Sequence, residues 1–388
     1  MATTIRLWRH LFAADQRLVG PAADESEDWP ESLGPRPGDA VFDWLSGNAG
    51  ACWLGDEEAR AALAKIGAKC PAPSPEVVGA VHDKAFAARF ADAAGYLPAC
   101  LRGLPVAYSP EELGRPDAWL ADFRQSLAGW PPWTGGRFTL KPRLGSSGRG
   151  RVGGLAHALE EEKVRAALPR LAQRGGALLE PWLERGSDLS VMLHIAERAT
   201  SPDAPITLLG SAEQIVAPSG VYLGHLGEID SRGRVFSGDP ADEAMREAAA
   251  ALAQEARAAG YWGPCGLDGF EFRGPASENG EGETRLRLRP IVEFNARFTV
   301  GIVVLGLLRR ALAQVGPRLG IEPGERRGFL FALDPPGNWP DWEAAASAAG
   351  AGTLALPLGG RPGGPGLLFT REAQSLRAAL AEQRAGPG

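Results

Sequence analysis

Between residues 260 and 316 the apolar positions change period. CGLDGFEF and RLRLRPIVEF are apolar runs of strand length joined by the polar turn PASENGEGET, and GIVVLGLLRRALAQVG follows as an apolar helix. The pattern predicts an antiparallel hairpin with a helix behind it. Side chains alternate faces along a strand, so Glu293, Asn295 and Arg297 project from one side and Val292, Phe294 and Ala296 from the other. With Asp268 in the partner strand, three side-chain oxygens can meet above the sheet.

The same alternation of periods runs through most of the chain. A helix is predicted near 56 to 68, ending at Gly67, and another from Asp83 through Phe86 and Phe90 to Gly95. After a Pro/Trp-rich link around 130 to 135, RFTLKP reads as a strand entering a glycine-rich loop, and AHALEEEKVRAAL as a charged helix. GALLEPWL (176 to 183), DLSVMLHIAE (188 to 197), PITLLGS and SGVYLGHLGEI read as successive strands, and a helix from 239 to 259 is opened by Asp239 and closed by Gly260. Residues 328 to 384 form a strand, helix, strand, strand, helix set. The first 75 residues show only a polar, Pro-rich stretch, a short strand candidate and the helix near 56. The fold class is α/β (α+β).

Composition narrows the function. The 388 residues are 44% hydrophobic, enough for a sizeable core, and the net charge is -6 with no Lys/Arg-rich block, so nucleic acid is an unexpected partner. Four cysteines (Cys52, Cys70, Cys100, Cys265) stand far apart, without a C-x-x-C pair and away from the histidines, so neither zinc nor a disulfide framework is expected. No stretch reads as a leader or as a bilayer-spanning run, so a cytoplasmic protein with no membrane partner is expected; its oligomeric state is left open.

Asp268, Glu293 and Asn295 form a set of hard oxygen donors suited to Mg²⁺, with Mn²⁺ as a substitute. A solvated face of an edge hairpin accounts for the same three residues equally well. Lys141 stands four residues before the glycine-rich loop of Gly145, Ser146, Ser147, Gly148 and Gly150, and can present an ammonium and several backbone N–H groups to an anion. A plain glycine turn is the alternative, because neither G-x-x-x-x-G-K-[ST] nor G-x-G-x-x-G occurs here. Cys265 reads as a buried inert thiol and His225 as a structural histidine.

The succession VHDKAFAARF, TLKPRLGSSG, LLEPWLERGSDLSV, GLDGFEF and VEFNAR resembles the ATP-grasp superfamily over about residues 75 to 310. The resemblance implies a lid and a C-terminal domain, each contributing a sheet, with ATP between them and Mg²⁺ bridging its phosphates. It divides the chain into an N-terminal part (1–75), a central part (76–134), a lid (135–183), a metal-binding subdomain (184–320) and a small C-terminal extension (321–388). Lys141 then matches the lid lysine on the phosphates, Gly145, Ser146, Ser147 and Gly148 the closing loop, and Lys84 a second phosphate-directed lysine. Glu180, Trp182 and Leu183 match the hinge at the adenine edge. The segment EPWLERGSDLSV is similar to that of D-alanyl-D-alanine ligases, which implies that Asp188 bonds the ribose. Asp268, Glu293 and Asn295 match the metal ligands, and Arg297 an arginine acting on the transferring phosphate or the carboxylate. Pro181 and Gly266 depart from the pattern: the first lacks a hinge N–H, the second stands where those ligases have an arginine. The implied activity is an ATP-dependent ligase joining a small-molecule carboxylate, amino acid or peptide-like, to an amine through an acyl phosphate. A small-molecule kinase and a catalytically idle ATP-binding module remain open alternatives.

Overall fold

A computed structural model of the chain describes residues 7–12, 30–33, 38–45, 51–145, 150–197, 204–217, 220–277, 283–335, 341–350, 352–359, 364–371 and 373–385. Among the described residues, 3-10 turns at Arg9–Leu11, Glu31–Leu33 and Asp43–Leu45 precede three α-helices, Glu57–Lys65 (α1), Pro75–His82 (α2) and Lys84–Ala93 (α3). Strand Val106–Tyr108 (β1), helices Pro110–Leu113 (α4) and Pro116–Ala128 (α5), strands Arg137–Pro142 (β2) and Val152–Leu155 (β3), helix Glu161–Ala172 (α6) and strand Ala177–Pro181 (β4) follow. Next are Arg185–Ile195 (β5), Ile206–Val216 (β6), Tyr222–Asp230 (β7), Val235–Phe236 (β8) and helix Asp242–Ala258 (α7). The hairpin Gly263–Pro275 (β9) and Thr284–Asn295 (β10) leads into helix Val300–Leu319 (α8). Arg326–Ala332 (β11), Trp342–Ala348 (α9), Leu354–Pro357 (β12), Gly366–Thr370 (β13) and Ala373–Ala385 (α10) end the chain.

The strands form two sheets, one of four strands in the order β1-β4-β2-β3 and one of nine in the order β10-β9-β5-β6-β8-β7-β11-β13-β12. The mixed α/β class and the two-sheet plan match the expectation. In the small sheet Phe138 and Leu140 pack with Trp119, Phe123 and Leu127 of α5 and Val164 and Leu168 of α6. By alternation Thr139 and Lys141 take the other face. In the large sheet Leu189, Val191, Leu193 and Ile195 of β5 pack with Met245 and Leu252 of α7, which leaves Asp188 and Ser190 for the opposite face. The small sheet thus keeps one face for helices and the other for polar groups, whereas Met192 of β5 packs on the second face of the large sheet with Ile302 and Leu305 of α8, so the polar positions there lie at the Asp188–Ser190 end.

Several expectations change. The sequence pattern predicts no strand or helix between 98 and 130, yet β1, α4 and α5 lie there. Val106–Tyr108 pairs with β4, so the small sheet begins well before residue 135. The strands beyond 321 pair onto β7 through β11 and extend the large sheet instead of standing apart. Among the described residues 1–75 hold no strand; Leu7, Leu11, Phe42 and Leu45 instead cover α8. Helix α7 begins at Asp242, and Asp239 accepts from the Ala241 N–H at 2.8 Å in the turn before it. Helix α8 is long and apolar enough to cross a membrane by length and composition, contrary to expectation, but its apolar surface is core: Ile302 through Leu308 are fully buried.

Gly176 holds β4 against β1. Its φ is +103°, and an added Cβ would lie 2.1 Å from the Tyr108 carbonyl oxygen. Gly176→Ala is expected to lose about 1–3 kcal/mol from backbone strain alone, with a further loss from the displaced strand, measured by denaturant unfolding. Unfolding unchanged from the parent would remove this constraint from the account.

Candidate active site

The β9–β10 register sets Asp268 directly beside Glu293, and β5 places Ser190 on the other side of Asp268. Asn295 stands two positions further along the same face and donates its amide to Asp268 Oδ2 at 2.8 Å. Gln214 of β6 donates to Oδ1 at 2.6 Å. Burial, and next the like charge of Glu293, push the Asp268 carboxyl up to about 6. Burial would raise Glu293 as well, but Lys84 and Lys141 outweigh it and hold that carboxyl below its ordinary value.

Lys84 is brought to this face by the start of α3. Its ammonium lies 3.1 Å from Glu293 and donates to the Gly145 carbonyl at 2.9 Å. Asp83 does two jobs: it caps α3 through the Ala85 N–H at 2.8 Å, and its carboxylate takes Arg143 Nε at 3.0 Å on each oxygen. The Lys84 N–H also donates to the Arg143 carbonyl at 3.1 Å. The end of β2 and the first glycine of the expected closing loop are thus tied to the helix that delivers Lys84. Ser146, Ser147 and Gly148 lie outside the described residues.

Lys141 of β2 pairs with Glu180 of β4, and Arg289 of β10 pairs with the other Glu180 oxygen. Glu180 is 2% and Arg289 3% exposed, so this triad is a buried bridge between the two sheets. Burial alone would raise Glu180; Arg289 and then Lys141 reverse this and hold it at about 2. Burial lowers the Lys141 ammonium, and the attraction of Glu180 offsets part of that. The RLRLR run gives no sign that Arg289 is internal, since an alternating basic edge is the ordinary solvated pattern. The need of a buried Glu180 for a cation was the available signal.

The segment expected to form the hinge follows at once. The Trp182 N–H donates to the Arg137 carbonyl at 2.8 Å, and the Arg151 and Arg185 guanidiniums lie 4.5 and 5.0 Å from the Trp182 ring centre. A cavity of about 490 Å³ opens here, lined by Arg137, Thr139, Arg151, Gly153, Gly154 and Trp182. The Thr139 hydroxyl is buried without a hydrogen-bond partner. Leu183 instead turns into the core under α7, and Asp188 pairs with Arg185.

Arg297 continues the Asn295 line past the end of β10. Its Nη2 donates to Asn295 Oδ1 at 2.8 Å and its Nη1 to the Phe298 carbonyl at 2.9 Å, while Nε is buried with no partner. His82, not foreseen from the sequence, lies beside it and accepts the Ala296 N–H at 3.4 Å. Burial first, then Arg297, lower the His82 imidazole to about 4, so it is neutral near pH 7. His225 is buried and bonded to the Tyr222 hydroxyl at 2.5 Å, a structural arrangement. Cys265 is fully buried. Among the described residues no three His, Cys, Asp or Glu side chains cluster, so any cation here relies on two carboxylates and the Asn295 amide.

Four buried or half-buried cations, Lys84, Lys141, Arg289 and Arg297, thus meet three carboxylates. Glu180→Gln would leave Lys141 and Arg289 facing each other, and a loss of about 3–5 kcal/mol is expected on denaturant unfolding. Because the folded Glu180 is held below the ordinary glutamate value of 4.5, its contribution is complete above that pH and fades as the pH falls toward 2. The variant's stability should therefore vary less with pH across that window. Equal stability at pH 7 would contradict the buried bridge.

No family model matches the chain, and no curated protein matches it in sequence. Solved structures do resemble it. The N5-carboxyaminoimidazole ribonucleotide synthetase of Thermus thermophilus is 17% identical with a TM-score of 0.50, over 98% of this chain and 94% of that one. Pyruvate carboxylase of Rhizobium etli is 15% identical with a TM-score of 0.51, over 98% of this chain but 36% of the longer carboxylase. Both neighbours are ATP-grasp enzymes, and the mixed α/β, two-sheet architecture of this chain fits that fold. The chain therefore has the ATP-grasp fold.

Proposed function

We propose that the protein is an ATP-dependent ligase that joins a carboxylate, an amino acid or peptide-like molecule, to an amine through an acyl phosphate, releasing ADP and phosphate. The observation that carries this reading is the polar cluster between the sheets, in which cations outnumber carboxylates and Arg297 keeps a buried N–H without a partner. Such a cluster suits a ligand with several negative charges.

The residues present also fit a divalent cation. Asp268 and Glu293 are adjacent and repel one another, and a cation held by them and by Asn295 would relieve the repulsion that raises Asp268. Bound there, Mg²⁺ would neutralise phosphate charge and help orient the terminal phosphoryl group. In this reading the adenine takes the cavity beside Trp182 and the ribose hydroxyls meet Asp188. Lys84 and Lys141 exchange part of their present pairing for phosphate oxygens, and the planar fork of Arg297 holds the carboxylate or the transferring group.

The chemistry is that of activating a poor electrophile. A carboxylate oxygen attacks the γ-phosphorus and ADP leaves; the amine nitrogen then attacks the acyl carbon and phosphate leaves. Lysine and arginine side chains already in place stabilise the charge without reorganising at the moment of transfer. His82 is neutral near pH 7, but its Nδ1 is turned to a backbone N–H, so it takes no assigned proton.

The test incubates the purified protein with ATP, Mg²⁺ and pools of amino acids, with hydroxylamine as surrogate amine. A carboxylate-dependent hydroxamate with stoichiometric ADP is expected, and Arg297→Lys should lower turnover by at least about tenfold with little change in ATP affinity. A phosphorylated alcohol with no hydroxamate would replace the ligase reading with a kinase. ATP binding with no turnover on any pool would overturn both.

A further inference from the structure

Two thiols stand outside the proposed reaction and behind its arginine. Cys52 and Cys70, both half-buried, bring their Sγ atoms to 3.1 Å. The backbone around them is close-packed on its own account: an added Cβ on Gly55 would lie 2.5 Å from Ala72 Cβ. Arg60 of α1 donates to the Ala72 carbonyl at 2.6 Å and also to the Pro73 carbonyl. Residues 51–55 and 70–73 therefore run side by side, with α1 closing the loop between them. This strap touches the site: the Trp53 carbonyl accepts the Phe298 N–H at 2.9 Å, the Trp53 ring stacks on Phe298 with centroids 6.2 Å apart, and the Phe298 carbonyl accepts from Arg297.

We propose that Cys52 and Cys70 form a reversible disulfide by exchange with a small-molecule disulfide, closing the 51–73 strap behind Arg297. One thiolate attacks a sulfur of R–S–S–R and releases RS⁻; the second attacks the resulting mixed disulfide at the protein sulfur and releases another RS⁻. The two thiol protons end on two RSH molecules, so the small disulfide is reduced as the protein pair is oxidised. The bond needs an S–S separation of about 2 Å, so the sulfurs must approach by about 1 Å, within reach of side-chain rotation. Cys100 and Cys265 are buried, and neither makes a sulfur contact of this kind among the described residues. Burial, and then the Cys70 contact, push the Cys52 thiol up, so exchange should quicken as the pH rises. Eighteen positions separate the pair, and this spacing matches no sequence signature for a bridge; the contact is made by the fold. In a reducing compartment such a pair serves as a transient sensor, not a permanent staple.

The experiment treats the full-length protein with glutathione disulfide, quenches it, and combines intact mass, thiol titration under denaturing conditions and peptide mapping. Arg60, Lys65 and Lys69 lie between the two cysteines, so cleavage after basic residues separates them unless they are linked. The expected result is loss of two hydrogens and two titratable thiols, a linked Cys52–Cys70 peptide, and reversal by dithiothreitol. Hydrogen exchange at the Phe298 N–H should slow several-fold on oxidation, and Cys70→Ser should show neither the link nor the slowing. Glutathione adducts alone, links through Cys100 or Cys265, or Phe298 exchange unchanged by the link would each overturn the proposal.

Discussion

Glu180 joins three parts of the chain that have no reason to meet through apolar packing alone. It sits on β4 of the small sheet, takes Lys141 from β2 beside it, and takes Arg289 from β10 at the edge of the large sheet. Removing these three charges from water costs several kcal/mol apiece, and the contact is favourable only if the partners arrive together with good geometry. The bridge therefore specifies how the sheets approach one another, and that approach sets where Lys141 and the Trp182 cavity lie relative to Asp268 and Glu293. A single carboxylate thus links the packing of two sheets to the layout of the proposed site.

A second set of charges does similar work at the other end. Lys84 spans Glu293 and the Gly145 carbonyl, while Asp83, one residue earlier, grips Arg143. An incoming polyphosphate would compete with these pairings. Because Lys84 is shared between Glu293 and the Gly145 carbonyl, and Glu180 keeps Arg289 when Lys141 turns away, a ligand can take up these lysines without leaving a buried charge alone. The resting structure, in this view, holds its cations with its own carboxylates until a ligand with more charge arrives.

Much of this was legible in the sequence, for physical reasons. The β9–β10 hairpin carried period-two alternation and a polar turn, so Asp268 and Glu293 could be assigned to partner strands, and Asp83 to a helix cap; their side-by-side register follows an irregularity between Arg289 and Glu293 that alternation does not report. Trp119, Leu120, Phe123 and Leu127 carry a helical stripe in the sequence, although no helix was expected over 116 to 128. Contacts between residues far apart in the chain were beyond reach. Gln214 on Asp268, Arg289 on Glu180 and His82 beside Arg297 depend on which strands become neighbours, and nothing in a local window reports that. The terminal strands failed for a like reason: their existence was visible, but their pairing onto β7 through β11 was not.

The central claim is that the paired carboxylates and the cations around them receive a polyphosphate together with a divalent cation. The most direct measurement is Mn²⁺ binding, followed by electron paramagnetic resonance, in the presence of a non-hydrolysable ATP analogue. It compares the parent protein with Glu293→Gln. The account predicts a tight Mn²⁺ site in the parent that weakens by at least about tenfold in the variant, since a charged ligand to the cation is lost while the fold persists. Mn²⁺ binding of equal strength in the two proteins would contradict it.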